Sequence, residues 1–460
     1  MTWAQDREAI STKQQRIAEL AREDPQRVFT SLAHHIDLAW LHEAYRRTRK
    51  DGAVGVDQQS AEQYAANLDA NLRSLLDRAK SGQYRAPPVR RVHIPKGNDG
   101  ATRPIGIPTF EDKVLQRAVA MVLESVYEQD FEPFSYGFRP HRSALQAGDA
   151  VRKAIMDHPV LRRAGGTIVE LDIKKFFDTM GKRQLREFLM QRVRDGVLLR
   201  LIGKWLSAGV LEQGAVTYPE AGTPQGGVIS PILANIYLHH VLDRWFVQEV
   251  QPRMRGTVEL VRYADDAVII CESAQDAARI LDVLPKRFGK YGLELHPDKT
   301  RLVHFSQPDQ RSRRRQASSG KTQRKASESF DFLGFTFHWG KTRAGYHAVK
   351  RKTAADRLAR ALGRVDDWCK THRHEPIAKQ HKTLSQMLRG HYGYYGIAGN
   401  SRSIAQFAFQ AQKSWQRWLA RRGGKKHQDW AWFNALLKRM PLPPPRLVHV
   451  LTGQPSAAKP

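Results

Sequence analysis

The stretch VRYADDAVII, residues 261–270, sets two adjacent carboxylates, Asp265 and Asp266, between two apolar, β-branched runs. The pattern predicts a strand, a tight turn and a second strand. Neighbouring carboxylates in such a place repel each other and lose hydration, so their charges need a partner. A divalent metal ion is the natural partner, although an Asp-Asp pair also suits an ordinary hairpin turn.

A third carboxylate stands in GTIVELDIKKFFD, residues 166–178, where Asp172 follows an apolar strand pattern. If the two strands are neighbours in one sheet, Asp172 comes beside the turn at Asp265. Three carboxylates and a polyphosphate can hold two Mg²⁺ ions, which stabilise the attacking and leaving oxygens of an in-line phosphoryl displacement. The pattern therefore predicts nucleotidyl transfer, with Asp178 and Glu170 as alternative ligands.

The charge of the chain indicates a nucleic-acid partner. Its 460 residues include 75 Lys and Arg against 46 Asp and Glu, a formal charge of +29 at pH 7. Residues 341–460 contain 24 basic and 5 acidic residues, so +19 of the excess lies in the last 120 residues. Phosphate backbones attract such charge. The two cysteines are far apart and exclude a disulfide framework or a paired-cysteine zinc site.

The sequence carries no sign of membrane insertion or secretion. No apolar run reaches the roughly 18 residues that a membrane-spanning helix needs. The first ten residues, MTWAQDREAI, lack the basic and then apolar order of a secretory signal. We therefore expect a cytoplasmic protein that has no membrane partner.

Apolar spacing divides the chain into several kinds of segment. Residues 1–80 show helical periodicity, and residues 86–108 alternate apolar and basic side chains around a Gly-Asn-Asp-Gly turn, which predicts a β-hairpin. Strand and helix patterns then interleave, as in an α+β or α/β core. The basic, Ser-rich stretch 307–329 predicts a surface loop, either a solvated insertion or a nucleic-acid contact. Residues 350–425 are helical and basic.

Seven blocks of the sequence resemble the reverse transcriptases encoded by bacterial group II introns. They occur in that family's order: RPIGIPTFEDKVLQRAV, YGFRPHRSALQA, VELDIKKFFDTM, GTPQGGVISPILANIYLHHVLD, LVRYADDAVII, GLELHPDKTRLV and FDFLGFTF. The match runs from about residue 35 to residue 340. Residues 375–422, which include LRGHYGYYG, are similar to the family's thumb, also called the maturase or X domain.

The resemblance implies an α+β fold shaped like a right hand, with fingers and an antiparallel palm sheet followed by an all-α thumb. We expect a helical extension and the start of the fingers over 1–85, fingers and palm over 86–340, the thumb over 341–425 and a basic, Pro-containing tail over 426–460. No HNH endonuclease motif follows residue 422, so the chain is similar to the endonuclease-lacking lineages.

The family's motifs assign roles to residues by position. Asp172, Asp265 and Asp266 match the catalytic, metal-binding triad of the palm. Lys175 stands where many relatives have glycine. The positions that match the site for the incoming deoxynucleoside triphosphate are Lys96, Arg103, Phe177, Gln225 and Lys299, and those that match the primer grip are Phe332, Leu333 and Gly334.

Some of these assignments have an alternative. Phe177 matches the steric gate, an aromatic ring under the sugar that leaves no room for a 2′-OH, but a core aromatic has the same pattern. Arg90 and Arg91 compete with Lys96 for the triphosphate. Tyr263 packs either beneath the primer terminus or in the core.

The resemblance implies an RNA-directed DNA polymerase that uses dNTPs, an RNA template, a DNA primer and two Mg²⁺ ions, for which Mn²⁺ can substitute. It also implies binding of a group II intron RNA and maturase activity in mRNA splicing, in support of this retroelement's mobility. One alternative is a domesticated relative in DNA repair, phage defence or CRISPR spacer acquisition. Another is a non-catalytic RNA-binding splicing chaperone, against which the intact carboxylates weigh. No segment indicates an oligomer interface.

Overall fold

The structure is a computed structural model, and it divides the chain into two compact units. One unit comprises Met1–Ala150 and Val169–Leu302, and the other Val151–Ile168 and Val303–Pro460. The described residues are 3–95, 102–218, 222, 226–308, 328–342, 344–422 and 429–449. Of the predicted site residues, Lys96 and Gln225 lie outside these ranges, as does most of the basic stretch 307–329.

Helices form the larger part of the described chain. Asp37, Ser60 and Thr109 each accept a backbone N–H at the start of a helix, the role these residue types favour. None of the described helices is both long and apolar enough to cross a membrane. In chain order the helices are α1 (Trp3–Glu23), α2 (Leu38–Arg47), α3 (Ala61–Ala65), α4 (Leu68–Ser81), α5 (Phe110–Tyr127), α6 (Ala144–Met156), α7 (Pro159–Ala164), α8 (Phe176–Thr179), α9 (Lys182–Leu189), α10 (Gly196–Leu206), α11 (Ser230–Leu238), α12 (Ala274–Gly289), α13 (Ala355–Thr371), α14 (Ile377–Tyr395), α15 (Ser401–Leu419) and α16 (Trp430–Arg439).

Within the described ranges, the strands form three sheets. In chain order they are β1 (Val89–Pro95), β2 (Thr102–Ile107), β3 (Gly165–Leu171), β4 (Val210–Glu212), β5 (Ala215–Thr217), β6 (Val258–Tyr263), β7 (Asp266–Cys271), β8 (Arg301–Ser306), β9 (Phe330–Phe332), β10 (Phe335–Lys341) and β11 (His347–Thr353). The sheet orders are β2-β1-β4-β5, β6-β7-β3-β8 and β11-β10-β9.

The predicted hairpin of residues 86–108 is confirmed. β1 and β2 pair antiparallel, with Arg90 opposite Ile107 and Ile94 opposite Arg103. β4 extends this sheet by a parallel pairing with β1. The hairpin therefore carries the basic side chains on an ordered sheet within the first unit.

The strand, turn and strand predicted around the two acids are also confirmed. β6 and β7 pair antiparallel from Val258 opposite Cys271 to Tyr263 opposite Asp266. In the sheet order β7 lies next to β3, the strand that ends just before Asp172. The mixture of helices with antiparallel strands is the predicted α+β fold.

One helix, α5, lies in the core of the first unit. α5 presents apolar side chains on most of its surface, as expected of a helix inside a core. The fully buried Trp40 packs in the same apolar cluster as Val119 and donates its indole N–H to the Ala118 carbonyl at 3.0 Å. Burial of a large apolar side chain contributes about 1.5–3 kcal/mol, so this cluster stabilises the first unit.

The second unit has its own core on α13 to α16. Trp415 is fully buried there and donates to the Gln380 side chain at 2.9 Å, so this tryptophan packs in the core and does not face solvent. Phe433 on α16 and Leu442 beyond it are buried in the same cluster. Part of the predicted tail 426–460, residues 432–442, thus contributes to this core, because α16 has an apolar face that needs covering.

Candidate active site

The turn between β6 and β7 has two residues, Ala264 and Asp265. Ala264 has φ of +57°, in the left-handed region where a side chain costs about 1–2 kcal/mol. Asp265 is half-buried, and Asp266 is exposed at the start of β7. The sequence therefore places two neighbouring carboxylates in different environments, one shielded and one open to solvent.

Asp172 and Asp265 act on each other electrostatically. Burial raises the pKa of Asp265 and the negative charge of Asp172 raises it further, while the cations Arg103 and Arg262 oppose the rise. The raised pKa means that the ionised form of this carboxyl group is disfavoured. A further cation beside it would favour the ionised form again. β3 and β7 are neighbours in one sheet, as the prediction for Asp172 requires, while the joint role of the two carboxylates remains a prediction.

Asp172 is held by the segment that precedes β8. The Lys299 ammonium lies 2.9 Å from its Oδ2 atom, and the backbone N–H of His296 donates to its carbonyl at 2.8 Å. The backbone N–H of Lys174 donates to the Glu294 carbonyl at 2.8 Å and continues this contact. Lys299 therefore brings a positive charge to the same carboxylate that is predicted to bind metal.

The donor chemistry at Asp172 and Asp265 fits a divalent cation. Carboxylate oxygens are the ligands that Mg²⁺ prefers, and their mutual repulsion is what a shared cation relieves. Within the described ranges, no three Asp, Glu, His or Cys side chains lie close enough to form a metal site by themselves. The assignment of Asp172, Asp265 and Asp266 as metal ligands remains a prediction. Of the alternatives, Glu170 pairs with Arg301.

A buried arginine is hydrogen-bonded to the turn between β6 and β7. Arg262 and Asp243 are fully buried and form a two-bond ion pair, with Nε–Oδ1 at 2.8 Å and Nη2–Oδ2 at 2.5 Å. Nη1 donates to the Ala264 carbonyl at 3.0 Å and to Asn235 Oδ1 at 3.1 Å, and Nη2 donates to Ser135 Oγ at 2.8 Å. The guanidinium thus binds the turn's own carbonyl and links it to three other segments.

The sequence contains an indication of the role of Arg262 that neither composition nor a motif reveals. An arginine inside the apolar strand VELVRY has to be paired, because arginine is almost never fully buried alone. Its partner Asp243 lies 19 residues upstream, beyond any local spacing rule. The fold was needed to find the pair.

Comparison with known proteins decides the family. The profile described as "Reverse transcriptase (RNA-dependent DNA polymerase)" matches residues 94–337, slightly more than half of the chain. The chain belongs to the reverse transcriptase family. The family's activity is RNA-directed DNA synthesis, and its members use divalent metal ions.

Relatives of this reverse transcriptase agree with the resemblance stated from the motifs. It is 35% identical over 328 residues to Protein YkfC of Escherichia coli (strain K12), which covers 65% of this chain and 85% of that protein. It is 27% identical over 482 aligned positions to Group II intron-encoded protein LtrA of Lactococcus lactis subsp. cremoris, covering 88% and 77%. Over 133 residues it is 29% identical to Nuclear intron maturase 4, mitochondrial, of Arabidopsis thaliana, covering 29% and 16%. The predicted likeness to intron-encoded reverse transcriptases is confirmed.

The residues predicted to bind the triphosphate are only partly within the described ranges. Arg103 is exposed on β2, and its positive charge acts to lower the pKa of Asp265. Lys299 reaches Asp172. Gly226, next to the predicted Gln225, packs so closely on β2 that an added Cβ would lie 2.5 Å from the Gly106 carbonyl oxygen. The PQGG loop therefore ends against the hairpin that carries Arg103.

Phe176 and Phe177 differ in burial. Phe176 is 2% exposed in the core, whereas Phe177 is half-buried, with the ring centroids 5.4 Å apart. Gly222 packs against the backbone of α8, where an added Cβ would lie 2.7 Å from the Phe177 carbonyl oxygen. Phe177 thus keeps an accessible side chain on a helix whose backbone is closely packed.

The predicted primer-grip residues lie in the second unit. Phe332 is buried on β9, and the tight turn that follows uses Leu333 at φ +51° and Gly334 at φ +79°. Tyr394 donates its hydroxyl to the Leu333 carbonyl at 2.9 Å. The turn is therefore fixed to α14, while its role as a primer grip remains a prediction.

Lys175 explains the glycine of many relatives, because it has φ of +48° and ψ of +42° at the start of α8. A glycine there avoids the Cβ clash of the left-handed region. We expect Lys175→Gly to stabilise the protein by about 1 kcal/mol, seen as a higher melting temperature. Lys175→Ala is the matched control, since it removes the charge and keeps Cβ. Equal melting temperatures for the two variants would contradict the explanation.

Proposed function

We propose that this reverse transcriptase extends a DNA primer on an RNA template with dNTPs, using Asp172, Asp265 and Asp266 as ligands for two Mg²⁺ ions. The primer 3′-oxygen attacks the α-phosphorus of the dNTP, a new phosphodiester bond forms and pyrophosphate leaves. Bound Mg²⁺ would supply positive charge to the attacking and leaving oxygens. The observation that carries this proposal is the sheet order, in which β7 lies between β6 and β3, so that the turn at Asp265 and Asp266 and the strand that ends before Asp172 belong to neighbouring strands.

The protein's own cations divide the remaining work. Arg103 near Asp265 and Lys299 on Asp172 are placed to neutralise phosphate oxygens that arrive with the nucleotide. When the nucleotide binds, the Lys299 ammonium would leave the Asp172 carboxylate and pair with the triphosphate, because it cannot pair closely with both. The buried Arg262 keeps the turn carbonyl fixed, so that Asp265 does not reorient between cycles.

Sugar selection is assigned to Phe177. We expect Phe177→Ala to lower the ratio of kcat/KM for a dNTP to that for its rNTP by about tenfold or more, because a steric barrier to the 2′-OH is removed. The measurement is single-nucleotide incorporation with matched dNTP and rNTP. Phe176→Leu, in the core, should keep the ratio. A ratio unchanged in Phe177→Ala would contradict the steric-gate assignment.

We further propose that the protein binds a group II intron RNA in the cytoplasm and acts as its maturase. The net charge of +19 on residues 341–460 supports this, because phosphate contacts dominate affinity for nucleic acid. The printed names of two relatives, a group II intron-encoded protein and a nuclear intron maturase, support the same partner.

The RNA that co-purifies from the native host tests the intron partner. A wash at high salt removes contacts that depend on phosphate charge alone, so the RNA that remains is bound specifically. We expect one dominant structured RNA, transcribed from the DNA around the gene, and faster splicing of that RNA when the protein is added. A scatter of unrelated cellular RNAs would contradict the maturase proposal and favour a polymerase recruited away from its intron.

A further inference from the structure

An exposed aromatic ring stands next to the catalytic turn. Phe138 is 51% exposed and has φ of +58°, a backbone conformation that large side chains avoid. Strain of this kind, worth about 1–3 kcal/mol, persists where the surroundings impose it and is concentrated at functional sites.

The backbone on both sides of Phe138 is fixed to buried groups. Gly137 lies against the turn so closely that an added Cβ would be 2.2 Å from the Ala264 nitrogen, and Asn235 donates to the Gly137 carbonyl at 2.7 Å. Tyr136 donates its backbone N–H to the Arg262 carbonyl at 2.8 Å. The residues before the ring are therefore locked to the strand and turn that carry Asp265.

Arg139 anchors the other side. Its guanidinium is buried and donates to the carbonyls of Glu132 at 2.8 Å and Ser135 at 2.9 Å, and it pairs with Glu128 at 3.1 Å. With both neighbours held, the exposed position of Phe138 cannot come from a loose loop. The anchored neighbours therefore impose the strained backbone of Phe138 and keep its ring exposed to solvent.

The Phe138 ring lies beside Tyr263, the residue just before the turn. Their ring centroids are 6.5 Å apart with an angle of 43° between the planes. The cations that influence the carboxylates, Arg103 and Lys299, suit a triphosphate, whereas this aromatic pair offers an uncharged face. An uncharged aromatic face suits the base or sugar of a nucleotide, and stacking on a base contributes about 1–3 kcal/mol.

We propose that Phe138, beside the Tyr263 ring that the family resemblance places at the primer terminus, completes a platform that stacks on the 3′-terminal nucleotide of the primer. The inference depends on the proposed function, because the reacting 3′-oxygen must lie at the carboxylates that follow Tyr263. The strained backbone keeps the platform in place before the primer arrives, so no ordering cost is met on binding. Phe138 thus contributes to holding the primer end and does not contact the triphosphate.

The test uses Phe138→Gly, because glycine accepts the left-handed backbone and removes only the ring. Fluorescence anisotropy with an RNA template and a 3′-blocked DNA primer, without dNTP, gives the Kd. We expect the Kd to rise about tenfold, with a melting temperature equal to or above that of the unchanged protein. Phe138→Trp should restore tight binding. Phe409→Ala, which removes an exposed ring in the second unit, is the matched control.

A primer with an abasic 3′ end identifies the contact. Removal of the terminal base should weaken binding to the unchanged protein but not to Phe138→Gly, because the partner of the ring is already gone. A Kd for Phe138→Gly within twofold of the unchanged protein would overturn the inference. So would an unchanged Kd with a raised KM for dNTP, since the ring would then serve the incoming nucleotide. Failure of the unchanged protein to extend any primer would instead contradict the proposed function.

Discussion

Asp265→Asn is expected to lower the rate of primer extension on an RNA template by at least about a thousandfold, since several kcal/mol of metal-based stabilisation are lost. The amide has nearly the shape of the carboxylate, so packing at the half-buried site is preserved. Because the Asp265 carboxylate does not itself bind phosphate, the Kd for RNA should remain within about twofold of that of the unchanged protein. Single-turnover extension and anisotropy on the same preparation measure the two quantities.

Asp282→Asn is the matched control for this prediction. Asp282 is an exposed carboxylate on α12, paired with Lys286 at 3.5 Å, and its loss should leave both extension and RNA binding unchanged. Extension by Asp265→Asn near the rate of the unchanged protein would show that Asp265 is not a metal ligand. Loss of RNA binding together with extension would point to a disturbed fold.

Arg262→Met is expected to destabilise the first unit by about 3–5 kcal/mol, because it leaves the Asp243 carboxylate buried without its cation. Burial already raises the pKa of Asp243, and Arg262 opposes that rise. With Arg262 removed, the pKa of Asp243 should rise further and the stability of the variant should fall as pH increases through it. Urea denaturation at several pH values measures this change.

Arg262→Met combined with Asp243→Asn provides the test of mechanism. The second change removes the buried charge, so the double variant should regain a large part of the stability lost in Arg262→Met alone. Its extension rate should stay low, because the Ala264 carbonyl still lacks the Nη1 donor at 3.0 Å. Full recovery of extension in the double variant would show that Arg262 acts on stability alone.

Local patterns were sufficient for the elements that carry the site. The two apolar, β-branched runs around Asp265 and Asp266 indicated the two strands, and the Gly-Asn-Asp-Gly turn indicated the hairpin of residues 86–108. Motif order then identified the family. These signals are short-range, and tertiary packing agreed with them.

The remaining features depend on contacts between distant segments. The Arg262–Asp243 pair and the closeness of Gly137 to Ala264 join segments that no spacing rule connects. Residues 430–442 fall within the predicted basic, Pro-containing tail 426–460, yet the apolar face of α16 packs in a core. The strained backbone of Phe138 is likewise imposed by its surroundings and leaves no mark in composition.

The most direct test of the metal site is iron-mediated cleavage of the chain. Fe²⁺ replaces Mg²⁺ at carboxylate sites, and with ascorbate and peroxide it produces hydroxyl radicals that cut the backbone near the ion. We predict cuts near residues 172 and 265 that excess Mg²⁺ suppresses and that Asp265→Asn removes. Cuts elsewhere, or the same cuts in Asp265→Asn, would contradict the assignment of the catalytic metal to these carboxylates.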